Sequence, residues 1–160
     1  MTGTIKSWNY DDTNSLGTHP ADAAYSICIR REKGFCGYSI TPADETNSFS
    51  FGGGSAWTGR GRNGDGCGGG GGDALNIPQA SKTGQGSSQQ RFCGTLFNDA
   101  YVSSNAAATQ YATSAAGHVN SVLTTYQTPF RIFVKFNSKD VQTATDPRRG
   151  FKMLWRQIQC

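Results

Sequence analysis

Phe130-Arg-Ile-Phe-Val-Lys-Phe136 reads most plainly as a strand. Phe130, Ile132, Val134 and Phe136 fall on one face of an extended chain, and Arg131, Phe133 and Lys135 on the other. That period of two buries one face and leaves the other to solvent, and no amphipathic helix has it. Gln127-Thr128-Pro129 bends the chain before it, with Val119–Tyr126 as a strand beyond the bend. On the other side the polar loop Ser138–Arg149 leads to a last strand, Phe151–Ile158.

Toward the N-terminus the pattern recurs in shorter pieces: Gly3–Tyr10, Ala24–Arg30, Phe35–Ile40, Ser48–Phe51 and Ala74–Ile77. Pro78 stops the last of these, because proline cannot continue a ladder. In the first, the alternation assigns Trp8 and Tyr10 to the core, and Trp155 is assigned there in the last strand. Arg31-Glu-Lys-Gly34 is a turn signal that makes Ala24–Arg30 and Phe35–Ile40 a hairpin. Gly52–Gly72 is glycine-rich, and Tyr101–Gly117 lacks an apolar stripe and reads as a packed loop. Roughly eight to ten short strands without a convincing helix predict an all-β fold, an antiparallel two-sheet sandwich. The 160 residues suffice for one domain with one core.

Composition narrows the role. Hydrophobic residues make up 36% and charged residues only 16%, so the polarity comes from Gly, Ser, Thr, Asn and Gln, which suit turns and strands. The net charge is +4, but apart from Arg30-Arg31 and Arg148-Arg149 the cations are scattered, and nucleic acid is not an expected partner. No run approaches the ~20 apolar residues of a membrane helix. Met1-Thr-Gly-Thr4 has neither the basic start nor the apolar stretch of a secretion signal, so the reading here is of a chain whose leader is missing.

The five cysteines, Cys28, Cys36, Cys67, Cys93 and Cys160, fit no zinc spacing, and His19 and His118 stand alone in polar segments. Disulfides are the better reading. Cys28 and Cys36 flank the turn signal and would staple the hairpin; Cys67 and Cys93 would close the loop that carries Ala74–Ile77. Each closure is worth on the order of 2 to 4 kcal/mol on the chain-entropy model, and both imply an oxidising compartment. Cys160 is left over, paired with a cysteine upstream of Met1, with another chain, or with nothing. No enzyme is expected: there is no G-x-S-x-G, and no triad can be nominated. Asp44-Glu45 reads as a solvated turn.

In order, Cys67…Asp73-Ala-Leu-Asn-Ile77, Phe92-Cys-Gly94, Phe136-Asn-Ser138 and Gly150-Phe-Lys-Met-Leu-Trp155 resemble the CUB domain. Gly3-Thr-Ile-Lys-Ser-Trp-Asn9, Tyr25-Ser-Ile-Cys-Ile-Arg30 and Trp155-Arg-Gln-Ile-Gln-Cys160 are most similar to its divergent arthropod branch. The resemblance spans most of the chain. It implies one CUB-like domain over 1–160, a jelly-roll-like sandwich, an extracellular place and a non-enzymatic role in recognition or assembly. It also implies the Cys67–Cys93 bridge and a further cysteine before the first strand, whose absence here suggests truncation.

Many members of that family bind calcium through an acidic cluster. Its first position falls on Gly52, its second on Asp73, and its third on Lys139 with Asp140 one place late. Calcium takes six to eight oxygens, several of them carboxylate, so Asp73 and Asp140 make a degenerate site and no cofactor is expected. Gly68–Asn76 formally matches a calcium-binding nonapeptide, but a single copy lacks the stacked turns between which such ions sit. For contacts, Trp57 with Arg60 and Arg62 beside it, and Phe133, which breaks its strand's alternation, are the candidates. The expected function is a secreted module that binds another protein or copies of itself in an extracellular assembly. The alternative is a calcium- or carbohydrate-dependent recognition module.

Overall fold

The computed structural model describes residues 1–14, 17–45, 48–51, 72–85, 91–94, 97, 120–137 and 148–160. Its elements are β1 (Thr2–Lys6), β2 (Ala24–Cys28), β3 (Phe35–Pro42), β4 (Phe49–Ser50), β5 (Ala74–Asn76), β6 (Arg91–Phe92), β7 (Leu123–Thr125), β8 (Arg131–Lys135) and β9 (Gly150–Gln159). They form two antiparallel sheets. One runs β1-β9-β3-β7, with β4 also on β9; the other runs β2-β8-β5-β6. β9 is the spine of the first sheet, pairing with β1 along one side and with β3 and β4 along the other.

The strand that decided the reading behaves as its alternation requires. Phe130, Ile132, Val134 and Phe136 are buried, while Arg131, Phe133 and Lys135 face out. From the opposite sheet Tyr38, Ile40, Phe151 and Met153 close on them, and Phe49, Phe51, Leu75, Phe92 and Phe97 extend the same core. Rings meet in tilted pairs, Tyr38 with Phe130 at 5.2 Å and Phe92 with Phe97 at 4.8 Å. That geometry suits the aromatic quadrupole better than a face-to-face stack.

Strand pairing corrects the hairpin expected at residues 24–40. β2 pairs with β8 in one sheet, whereas β3 pairs with β9 and β7 in the other. Residues 29–34 therefore cross between sheets, and Gly34, at φ 86°, turns the chain there. The bridge expected across that turn falls with it. Cys36 is bonded to Cys160 over a separation of 124 residues, and Cys28 is a free, exposed thiol on the other sheet. The register explains the pairing: Phe35 lies opposite Gln159, which brings the end of β9 beside Cys36. Cys160 is thus not the leftover thiol. Cys93 is disulfide-bonded as well, and Cys67, to which the sequence assigns it, lies outside the described residues.

Trp8 is a second correction. The strand ends at Lys6, so the alternation does not reach Trp8, which is 62% exposed and stacks on Tyr25 at 4.4 Å. Tyr10 is buried, and Trp155 packs partly buried against the core. Two glycines allow the close approach of β1 to β9. A Cβ on Gly3 would meet the Trp155 ring at 2.8 Å, and one on Gly150, at φ +92°, would collide with Ser7 Oγ.

Candidate functional site

Asp73 stands just before β5, Asn137 just after β8, Arg148 just before β9 and His19 on the approach to β2. The ends of four strands thus bring these residues together at one end of the sandwich. Arg148 Nη1 donates to Asp73 Oδ2 at 2.8 Å, His19 Nε2 lies 3.1 Å from the same oxygen, and the Asn137 N–H donates to Oδ1 at 2.6 Å. His19 Nδ1 faces the Pro20 carbonyl at 3.0 Å, and the imidazole stacks on Phe136 at 4.0 Å. Asp73, His19 and Arg148 are all buried. A buried carboxylate demands such partners, because an uncompensated charge away from water is very costly.

This arrangement does not fit calcium. Both Asp73 oxygens already face N–H donors, and a guanidinium occupies the cation's side of the carboxylate, where calcium requires oxygens. Among the described residues no group of three or more His, Cys, Asp and Glu side chains is placed to hold a metal. Asp140, the other acid of the expected site, lies outside the described residues.

Beside this node the surface carries a second polar network. Lys152 Nζ donates to Asp12 Oδ1 and to Glu45 Oε2, each at 2.8 Å, and Lys6 Nζ donates to Asp12 Oδ2 at 2.6 Å. The Tyr10 hydroxyl donates to Glu45 Oε1, and the Arg149 guanidinium lies 4.3 Å over the Tyr10 ring while donating through Nε to the Asp11 carbonyl at 3.1 Å. Hydrogen bonds from Lys152 and then Lys6 hold the Asp12 carboxyl at about 2, and those from Lys152 and Tyr10 lower that of Glu45. Lys152 is raised in turn by Asp12 and Glu45. Burial, and then the bond to Glu45, push the Tyr10 phenol up. The network ties the chain after β1 and the turn before β4 to β9.

The outer face of the five-stranded sheet is different in character. Its rows read Thr4, Leu154, Thr41 and Thr2, Arg156, Ser39, Thr124 across neighbouring strands. Val122 is 56% and Leu154 41% exposed, and with Thr4, Thr41, Ser39 and Arg156 they line an open groove of about 450 Å³. Along the paired strands of this face the described charges are Arg156 and, at one margin, Lys6 and Lys152, which are held by Asp12 and Glu45. Exposed aliphatic side chains set among hydroxyls are chemically suited to burial and short hydrogen bonds more than to charge pairing.

The expected contact residues are placed unevenly. Phe133 lies on the outer face of the other sheet, 39% exposed, with the Arg131 guanidinium 5.7 Å from its ring. Trp57, Arg60 and Arg62 lie outside the described residues. Sequence reasoning missed His19, which is buried rather than alone in a polar segment, and the pair Arg148-Arg149, both buried. The one signal for them was a doubled arginine directly before the strand that begins Gly150-Phe151, an odd place for two solvated charges. Val122 and Leu154 gave no signal, since an isolated apolar residue on a strand reads as core.

The family model of the animal CUB domain matches residues 1–158, so the chain belongs to that family. Among curated proteins and among solved structures nothing matches it. CUB domains are in general extracellular modules of protein–protein interaction, without enzymatic activity.

Proposed function

We propose that this member of the animal CUB family is a secreted, non-enzymatic protein-binding domain of an extracellular assembly, and that it binds without calcium. The outer face of the five-stranded sheet supports this reading. Val122 and Leu154 stand exposed among Thr4, Thr41 and Ser39 in one open groove. An interface core needs an apolar centre with a polar rim, and this face supplies both. The Cys36–Cys160 bridge supports the extracellular part, since structural disulfides persist in oxidising compartments. Asp73 supports the calcium-free part, since its carboxylate already faces Arg148, His19 and the Asn137 N–H.

The test is binding to an array of extracellular ectodomains, in calcium and in EDTA, by the wild type and by Val122→Asp/Leu154→Asp. The expected result is a protein partner retained in EDTA and lost by the double variant, whose exposed positions leave the fold intact. Partners lost in EDTA but kept by the double variant would favour calcium-dependent recognition instead.

A further inference from the structure

β2 is the terminal strand of the four-stranded sheet. The Ile29 N–H donates to the Phe130 carbonyl at 3.0 Å, and the Phe136 N–H to the Ala23 carbonyl at 2.7 Å. Odd-numbered residues of this stretch therefore face β8. Since backbone groups alternate along a strand, the N–H and C=O of Ala24, Ser26 and Cys28 face outward. All three residues are exposed.

At the far end of the same sheet β6 is two residues long, too short to offer much of an edge. Ser81 and Thr124 exchange backbone hydrogen bonds of 3.0 and 2.8 Å, covering the outer side of β7. On β1, Lys6 sits in its ion pair with Asp12. Ala24-Tyr-Ser-Ile-Cys28 has no charge, proline or bulge, the usual guards of an edge. Beside it Trp8, stacked on Tyr25, leaves most of its indole in solvent.

We propose that this edge pairs with the same edge of a second copy of the chain, antiparallel about a two-fold axis at Ser26, joining two four-stranded sheets into one. The inference deepens the assembly reading above and rests on it. The choice of a second copy comes from the charges at the ends of the strand. Pairing about Ser26 sets Ala24 opposite Cys28 of the other copy and brings Asp22 alongside its Arg30, once at each end. Asp22 and Arg30 are both exposed, and the Arg30 guanidinium, 89% exposed, makes a long contact of 3.5 Å with Glu32. An isologous interface repeats any favourable pair twice, so one complementary pair counts double and fixes the register. The two Cys28 sulfurs stand apart on either side of the axis, and the dimer is non-covalent.

Sedimentation velocity of the chain over a wide concentration range, with and without reductant, tests this. A reversible monomer–dimer equilibrium indifferent to reductant is expected. Ser26→Pro abolishes it: the Ser26 N–H points away from β8, so proline removes no ladder bond within the chain. Ser26→Lys, at an exposed position, does the same should proline disturb the strand, with near-UV circular dichroism reporting the fold. Arg30→Asp and Asp22→Lys each weaken the dimer by about tenfold through like-charge contacts, and an equimolar mixture of the two restores it as a heterodimer. A strictly monomeric wild type overturns the pairing and leaves the ectodomain test of the broader reading standing. A dimer unchanged by both Ser26 variants puts self-association on another surface, and a dimer abolished by reductant makes it a Cys28 disulfide; either overturns the edge. Failure of the mixture to restore pairing overturns the register.

Discussion

Asp73 Oδ2 lies 2.8 Å from Nη1 of Arg148, with both side chains out of reach of solvent. The pair joins the entry of β5 to the entry of β9, across the two sheets. Breaking such a pair leaves a buried charge alone, at a cost of about 3–5 kcal/mol. Asp73→Asn is expected to lose stability on that scale in urea unfolding. Asp73→Asn/Arg148→Met should lose less than the sum of the single changes, because the two changes remove the same contact. Strict additivity would mean that the two groups do not act as a pair.

Acid should loosen the brace around Lys152. Asp12 has its carboxyl held at about 2, against an ordinary value of 3.8, by Lys152 first and then Lys6. Glu45 is lowered in the same direction by Lys152 and Tyr10. A depressed acid contributes stability above its unfolded value and loses it as pH falls through its folded one. Melting temperature is therefore expected to fall between pH 3.8 and about 2 more steeply in the wild type than in Lys152→Met. Lys152 is shifted upward, so its own contribution is present below its ordinary value and lost at strongly alkaline pH. Equal slopes in the two proteins between pH 4 and pH 2 would remove Lys152 from the account.

Tyr38 is fully buried against Phe130, and its hydroxyl has no hydrogen-bond partner among the described residues. Burial alone pushes this phenol up. An unsatisfied hydroxyl in a core is a cost, so Tyr38→Phe should stabilise the chain by about 1 kcal/mol in chemical denaturation. A loss of stability would show that the hydroxyl makes a bond to water.

Period-two alternation made the strands legible, because burial on one face is a local property of each segment. Phe130–Phe136 is the clear case, and the core it predicts is the core observed. Pairing was not legible in the same way. Arg31-Glu-Lys-Gly34 permits a turn, but a turn between two strands of one sheet and a turn between sheets use the same residues. The hairpin, and with it Cys28–Cys36, failed at that point. At the candidate site, Asp73 was legible from its place in the family pattern. His19 and Arg148 were not, being 54 and 75 residues away in sequence and joined to it only by the closing of the sandwich.

The thiols give a prediction that separates the two disulfide schemes. Alkylation of the native, unreduced protein should label Cys28 and leave Cys36 and Cys160 unlabelled, and peptide mapping should find the latter two joined. Opening a bridge that closes 124 residues removes about 5 kcal/mol on the chain-entropy model, so Cys160→Ser should be far less stable than Cys28→Ser. Labelling at Cys160 with Cys28 protected would reverse the assignment.

The proposed mode of binding is calcium-free: Arg148 and His19 both face Oδ2 of Asp73, the acid that calcium would need. Calorimetric titration of calcium into the native chain tests it most directly. No heat of binding is expected, and the melting temperature should be the same in calcium and in EDTA. Saturable binding that disappears in Asp73→Asn would contradict it.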